Sequence, residues 1–182
     1  MQPIRQLMDV VSQVASPQAC LFTPADLRSI LPEHSDNAFK TLLSRAVKEG
    51  HLTRLCRGLY LYEKANPDLG FILHHAAAKL RPWGLNYLSL ETVLSDAGVI
   101  SQIPINRITL MSSGRSCVID CGDWGTIEFV KTRQQPEDLV GQLEYDANAR
   151  LWRATVPQAL RDMRATRRDP DLINWEAAHE SV

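Results

Sequence analysis

SDNAFKTLLSRAVKEGHLTRLCRGLYLY, residues 35–62, reads as one helix followed at once by a basic two-stranded hairpin. The helix is expected from about Asp36 to Glu49, with Ser35 as N-cap and Gly50 closing it in the left-handed conformation. Phe39, Leu42, Leu43, Ala46 and Val47 recur at the spacing that buries one stripe. Asn37, Lys40, Thr41, Ser44, Arg45 and Lys48 recur at the same spacing on the opposite side, which therefore carries three cations, three short polar side chains and no carboxylate. A solvated helix usually mixes both signs of charge to gain i,i+4 pairs, so this face suits a polyanionic neighbour. An ordinary amphipathic helix with a chance run of positive charge has the same face.

The flanks add to that reading. Upstream, Thr23 can cap a short helix that has Pro24 in its first turn and Asp26 near its positive end, and that runs to about Leu31, before Pro32. The turn at 32–35 then feeds the longer helix with helix-turn-helix spacing. Downstream, residues 51–55 and 59–62 are β-prone runs separated by Cys56, Arg57 and Gly58. Arg54 and Arg57 lie on or beside that turn, where an arginine can contact phosphate or follow a narrow minor groove. A hairpin that merely covers a core would leave the same arginines solvated. Together these pieces predict an N-terminal winged helix-turn-helix over residues 1–64, with double-stranded DNA as its partner.

Charge is unevenly spread. Lys and Arg outnumber Asp and Glu by 8 to 6 over residues 1–64, balance at 6 and 6 over 65–135, and fall to 6 against 9 over 136–182. An excess of two makes local clustering, or a homodimer on DNA, the source of any affinity. The acidic end is expected to face something other than DNA.

The 182 residues, 45% apolar and 23% charged, suffice for one medium domain or two small ones. No apolar run approaches membrane-spanning length, and the first residues lack the apolar stretch of a signal peptide, so a cytoplasmic protein with no membrane partner is expected. Cys20, Cys56, Cys117 and Cys121 are too few and scattered for a disulfide scaffold. Cys117 and Cys121 lie in a strand-like run with no clustered histidine to complete a metal site, and buried reduced thiols are expected. His74 and His75, adjacent in a helical run, are read as one packed and one solvated side chain. Asp120 and Asp123 straddle a turn. No phosphate-binding glycine loop, HExxH or nucleophile elbow is present, so neither catalysis nor a cofactor or metal is expected.

A polar segment at 63–68 containing Pro67 is the expected boundary, followed by an α+β domain over 65–182. Residues 69–80 and 89–97 read as helices, the second ended by Gly98. Runs at 107–111, 116–120 and 125–131 alternate with period two and predict a small antiparallel sheet, a three-stranded meander. From Gln135 the chain is expected to be helical again, through 139–143 and then 155–167.

Three pieces resemble the AbiEi antitoxins of type IV toxin-antitoxin systems. Residues 52–60, LTRLCRGLY, look like the family's basic strand followed by Arg-Gly, an apolar residue and Tyr. Residues 87–94, YLSLETVL, look like its Tyr-Ile-Ser-x-x-Ser-Ala-Leu segment. Residues 154–162, ATVPQALRD, are similar to its Ala-Thr/Ser-Pro-Glu-Lys-Ala-Leu-x-Asp, with Val156 inserted before Pro157 and Gln158 in place of Glu. The resemblance implies an antitoxin that represses its own operon through the winged helix and counters a nucleotidyltransferase-like toxin, a stable complex between the two not being assumed. A stand-alone winged-helix regulator with an effector-binding second domain is the alternative, and a nucleic-acid-processing enzyme a third.

Overall fold

The computed structural model describes residues 2–101 and 105–180 and is mixed α and β, with seven α-helices and two sheets among those residues. The chain divides into two compact units, Met1–Ile72 and Leu73–Val182, so the polar segment at 63–68 belongs to the first.

The first unit runs α1 (Pro3–Val14), β1 (Leu21–Phe22), α2 (Pro24–Arg28), α3 (Asp36–Lys48), β2 (Thr53–Cys56) and β3 (Leu59–Leu61). Sequence reading passed over α1, although Ile4, Leu7, Met8 and Val11 carry the helical period and pack into the core. Thr23 and Asp26 form a reciprocal capping box on α2. Ser35 caps α3 through the Ala38 amide. At the other end His51 and Gly50 donate to the carbonyls of Ala46 and Val47, and Gly50 has φ 72°, which is a Schellman closure. The core joins Leu7, Leu27, Leu31, Phe39, Leu42, Leu43, Ala46 and Leu52. β3 is the central strand of an antiparallel sheet ordered β1-β3-β2.

The second unit contains α4 (Ile72–Leu80, beginning on the last residue of the first), β4 (Asn86–Leu88), α5 (Leu90–Asp96), β5 (Arg107–Ser112), β6 (Cys117–Asp120), β7 (Thr126–Lys131), β8 (Leu143–Asp146), β9 (Leu151–Ala154), α6 (Val156–Ala165) and α7 (Trp175–Glu180). The expected small antiparallel meander is corrected here. The sheet has six strands in the order β6-β7-β5-β4-β9-β8 and is mixed, since β5 pairs with β7, and β4 with β9, in parallel. After β5 the chain passes over the slot that β7 later fills, forms the edge strand β6, and returns as β7. Gly125 makes that return possible. Its φ is 113°, and a Cβ there would lie 1.9 Å from the Asn106 carbonyl oxygen, which accepts the Thr126 amide. Residues 139–143, expected as helix, instead lead from a 3-10 turn at Pro136–Leu139 into β8.

Candidate nucleic-acid interface

All eight residues proposed from sequence to meet DNA are exposed. Six lie on α3, where buried Phe39, Leu42, Leu43 and Ala46 leave Asn37, Lys40, Thr41, Ser44, Arg45 and Lys48 on the outward side. With a rise of about 1.5 Å per residue, Asn37 to Lys48 spans about 16 Å. Arg54 lies on β2 with an outward side chain, between half-buried Thr53 and buried Leu55. Arg57 occupies the two-residue turn beside Gly58, whose φ of 82° the turn requires.

Two features of this face were missed in the sequence. Glu49, the C-cap residue of α3, pairs with Arg45 at 3.3 Å, so the face does carry a carboxylate at one end, and that carboxylate also reaches His51 at 3.5 Å. The i,i+4 spacing of Arg45 and Glu49 was the available signal. Arg28, at the end of α2, donates to the Leu31 carbonyl at 2.8 Å, lies 3.6 Å from Asp36 and sits over the Phe39 ring at 5.3 Å. It fixes the turn between α2 and α3. Thr41 donates its hydroxyl to the Asn37 carbonyl, leaving the oxygen lone pairs as its outward group.

In the second unit the two segments at 87–94 and 154–162 meet on one buried carboxylate. Asp162, fully buried, accepts from Ser89 Oγ at 2.6 Å, from Gln158 Nε2 at 2.9 Å and from the Tyr87 hydroxyl at 3.3 Å. Burial raises the Asp162 carboxyl above its ordinary value, against the three donors, which lower it. Burial and the neighbouring carboxylate also raise the Tyr87 phenol. Beside this, Thr109 Oγ1 donates to the Ser89 carbonyl and its amide donates to Thr92 Oγ1, tying α5 to β5.

None of the four cysteines is in a disulfide; Cys20, Cys56 and Cys121 are buried and Cys117 is exposed beside the Arg81 guanidinium at 3.1 Å. Cys117 thus departs from the expectation of burial. His74 is partly buried, which lowers its pKa, while His75 Nε2 lies 2.7 Å from the Asn148 carbonyl. Asp120 accepts from the Gly122 amide as a turn residue. No group of His, Cys, Asp and Glu among the described residues is arranged to hold a metal ion, and no described helix is long and apolar enough to cross a membrane. No protein-family model matches the chain, and no curated protein matches it in sequence.

Proposed function

We propose that the first unit is a winged helix-turn-helix that binds duplex DNA with α3 in the major groove and the β2–β3 turn as the wing, and that the chain is an AbiEi-type antitoxin that represses its own operon and opposes a nucleotidyltransferase-like toxin. The observation that carries the DNA part is the outward strip of α3, with the exposed arginines of the hairpin that follows within five residues. Lys40, Lys48, Arg54 and Arg57 supply phosphate contacts, and Asn37, Thr41 and Ser44, on the outward strip of α3, reach base edges. The element order α1-β1-α2-α3-β2-β3 is the one such a unit needs. The antitoxin part rests on the resemblance of three segments, and the meeting of two of them on Asp162 gives those residues a shared physical role.

The test has two arms. Selection from random duplexes with the intact chain should enrich one sequence found upstream of its own gene, and co-expression with a nucleotidyltransferase-like protein from the adjacent gene should restore growth that the latter arrests. Enrichment without rescue leaves a plain regulator. The specific feature favouring that second reading is an apolar cavity of about 460 Å³ in the second unit, lined by Leu85, Leu139, Leu143 and Trp152 among others. Absence of both effects defeats the proposal.

A further inference from the structure

The cavity just described lies against a sheet edge that no other strand pairs with among the described residues, and the two together identify an occupant. β8 is the last strand of its sheet, paired on one side with β9. Thr155 donates its amide to the Gln142 carbonyl, which makes 142 and 155 a hydrogen-bonded pair; by the alternation of an antiparallel ladder, Glu144 and Arg153 form the next such pair, and the amide and carbonyl groups of Leu143 and Tyr145 point away from β9. The same two residues place their side chains on the face where Trp152 lines the cavity, with the Tyr145 ring edge-on to Trp152 at 5.5 Å. Val140, 79% exposed, forms the cavity rim.

Charge defines the rest. Residues 134–149 contain four carboxylates, at 137, 138, 144 and 146, and no Lys or Arg. The cation opposite Glu144 across the ladder, Arg153, is engaged by Asp96 at 2.7 Å. Glu144 and Asp146 point to the face opposite Leu143 and Tyr145, where Gln142 accepts from Arg161, so the edge is apolar on one face and presents two carboxylates on the other.

We propose that β8 receives an extended segment of a partner protein as an added strand, one whose side chains alternate between apolar residues set against Trp152 and Leu143 and Lys or Arg set against Glu144. A second copy of this chain is the poorer occupant, because pairing β8 with itself sets the Glu144 side chains of the two copies near one another. The proposal does not depend on the DNA reading.

The probe is a dye-labelled seven-residue peptide with valine or phenylalanine at odd positions and lysine at even ones. Its partner probe has glutamate in place of lysine. Both are titrated by fluorescence anisotropy against the intact chain, Glu144→Lys and Tyr145→Pro, with thermal melts to establish that each variant is folded. The lysine peptide should bind, shifting the amide resonances of Leu143 and Tyr145, and the glutamate peptide should bind at least about tenfold more weakly. Glu144→Lys should reverse that preference. Tyr145→Pro, which removes an outward donor and none of the bonds to β9, should weaken binding by about fivefold. Equal binding of the two peptides, absence of binding, or self-association through β8 seen by sedimentation would each overturn the proposal.

Discussion

Replacing Glu49 by Gln tests how the end of α3 meets DNA. Glu49 holds Arg45 at 3.3 Å, with the two side chains 43% and 58% exposed. At that separation in water Coulomb attraction is about 1.3 kcal/mol, and screening and side-chain ordering reduce an exposed pair of this kind to between about 0 and 1 kcal/mol. That pair energy has to be given up when Arg45 turns to a phosphate. The Glu49 carboxylate also repels phosphate, an effect damped over a Debye length of about 8 Å at physiological salt. Together the two effects are on the order of 0.5 to 1 kcal/mol, so Glu49→Gln should tighten binding to a 20-base-pair duplex by about two- to fivefold. Arg45 becomes a full contact, and the slope of log K against log salt should steepen by up to about 0.9. Anisotropy titrations between about 50 and 200 mM salt measure both. Glu176→Gln, an exposed carboxylate of α7, is the control and should change neither. If Glu49→Gln behaves like that control or weakens binding, α3 does not present this end to DNA.

Asn37→Ala should lower the preference for a selected site over a scrambled one by about 1 to 3 kcal/mol if its contact to a base is bidentate; equal loss on both duplexes would make Asn37 a backbone contact or a helix-end residue. Gly125→Ala should cost about 3 kcal/mol or more in urea unfolding, because a methyl at φ 113° meets the Asn106 carbonyl oxygen at 1.9 Å. Gly98→Ala, with φ 70° and open space around it, should cost about 1 kcal/mol. Asp162 has a folded pKa above its ordinary 3.8, so the folded state holds the proton longer and stability falls as pH rises through that range and beyond; Asp162→Asn should lack this fall in denaturant midpoints taken from pH 3 upward. His74 has the opposite sign: its pKa is lowered from 6.5, so stability declines as pH drops through 6.5, and His74→Gln should flatten that decline.

Local signals made 23–62 legible from sequence. Thr23, Pro24 and Asp26 mark one helix start, Ser35 another, Gly50 a stop and Gly58 a turn, and each acts through bonds to residues a few positions away. The outward strip of α3 follows from its 3.6-residue period alone. What escaped depends on partners distant in sequence. Period-two alternation identified β5, β6 and β7 as strands, yet nothing in it says that β7 inserts between the other two, which Gly125 and the Asn106 carbonyl decide. β8 was lost because Leu139 and Leu143 sit one helical turn apart, whereas the left-handed Gly141, at φ 73°, breaks any helix there. The Leu-Glu-Tyr-Asp run at 143–146 does alternate, and its pairing with β9 settles the matter. The role of Asp162 had no local signal, because Ser89 and Tyr87, which donate to its carboxylate, lie more than seventy residues earlier.

Duplex binding by the intact chain, set against a variant carrying Lys40→Glu, Lys48→Glu, Arg54→Glu and Arg57→Glu, tests the central claim most directly. All four side chains are exposed, so the variant should melt within a few degrees of the parent. The parent should bind duplex DNA with a log-log salt slope of about −3 to −4, from about 0.9 per phosphate contact, and the variant should show no measurable binding at physiological salt. Equal binding by the two proteins, or none by the parent at low salt, would contradict the assignment of α3 and the β2–β3 turn as a DNA-binding face.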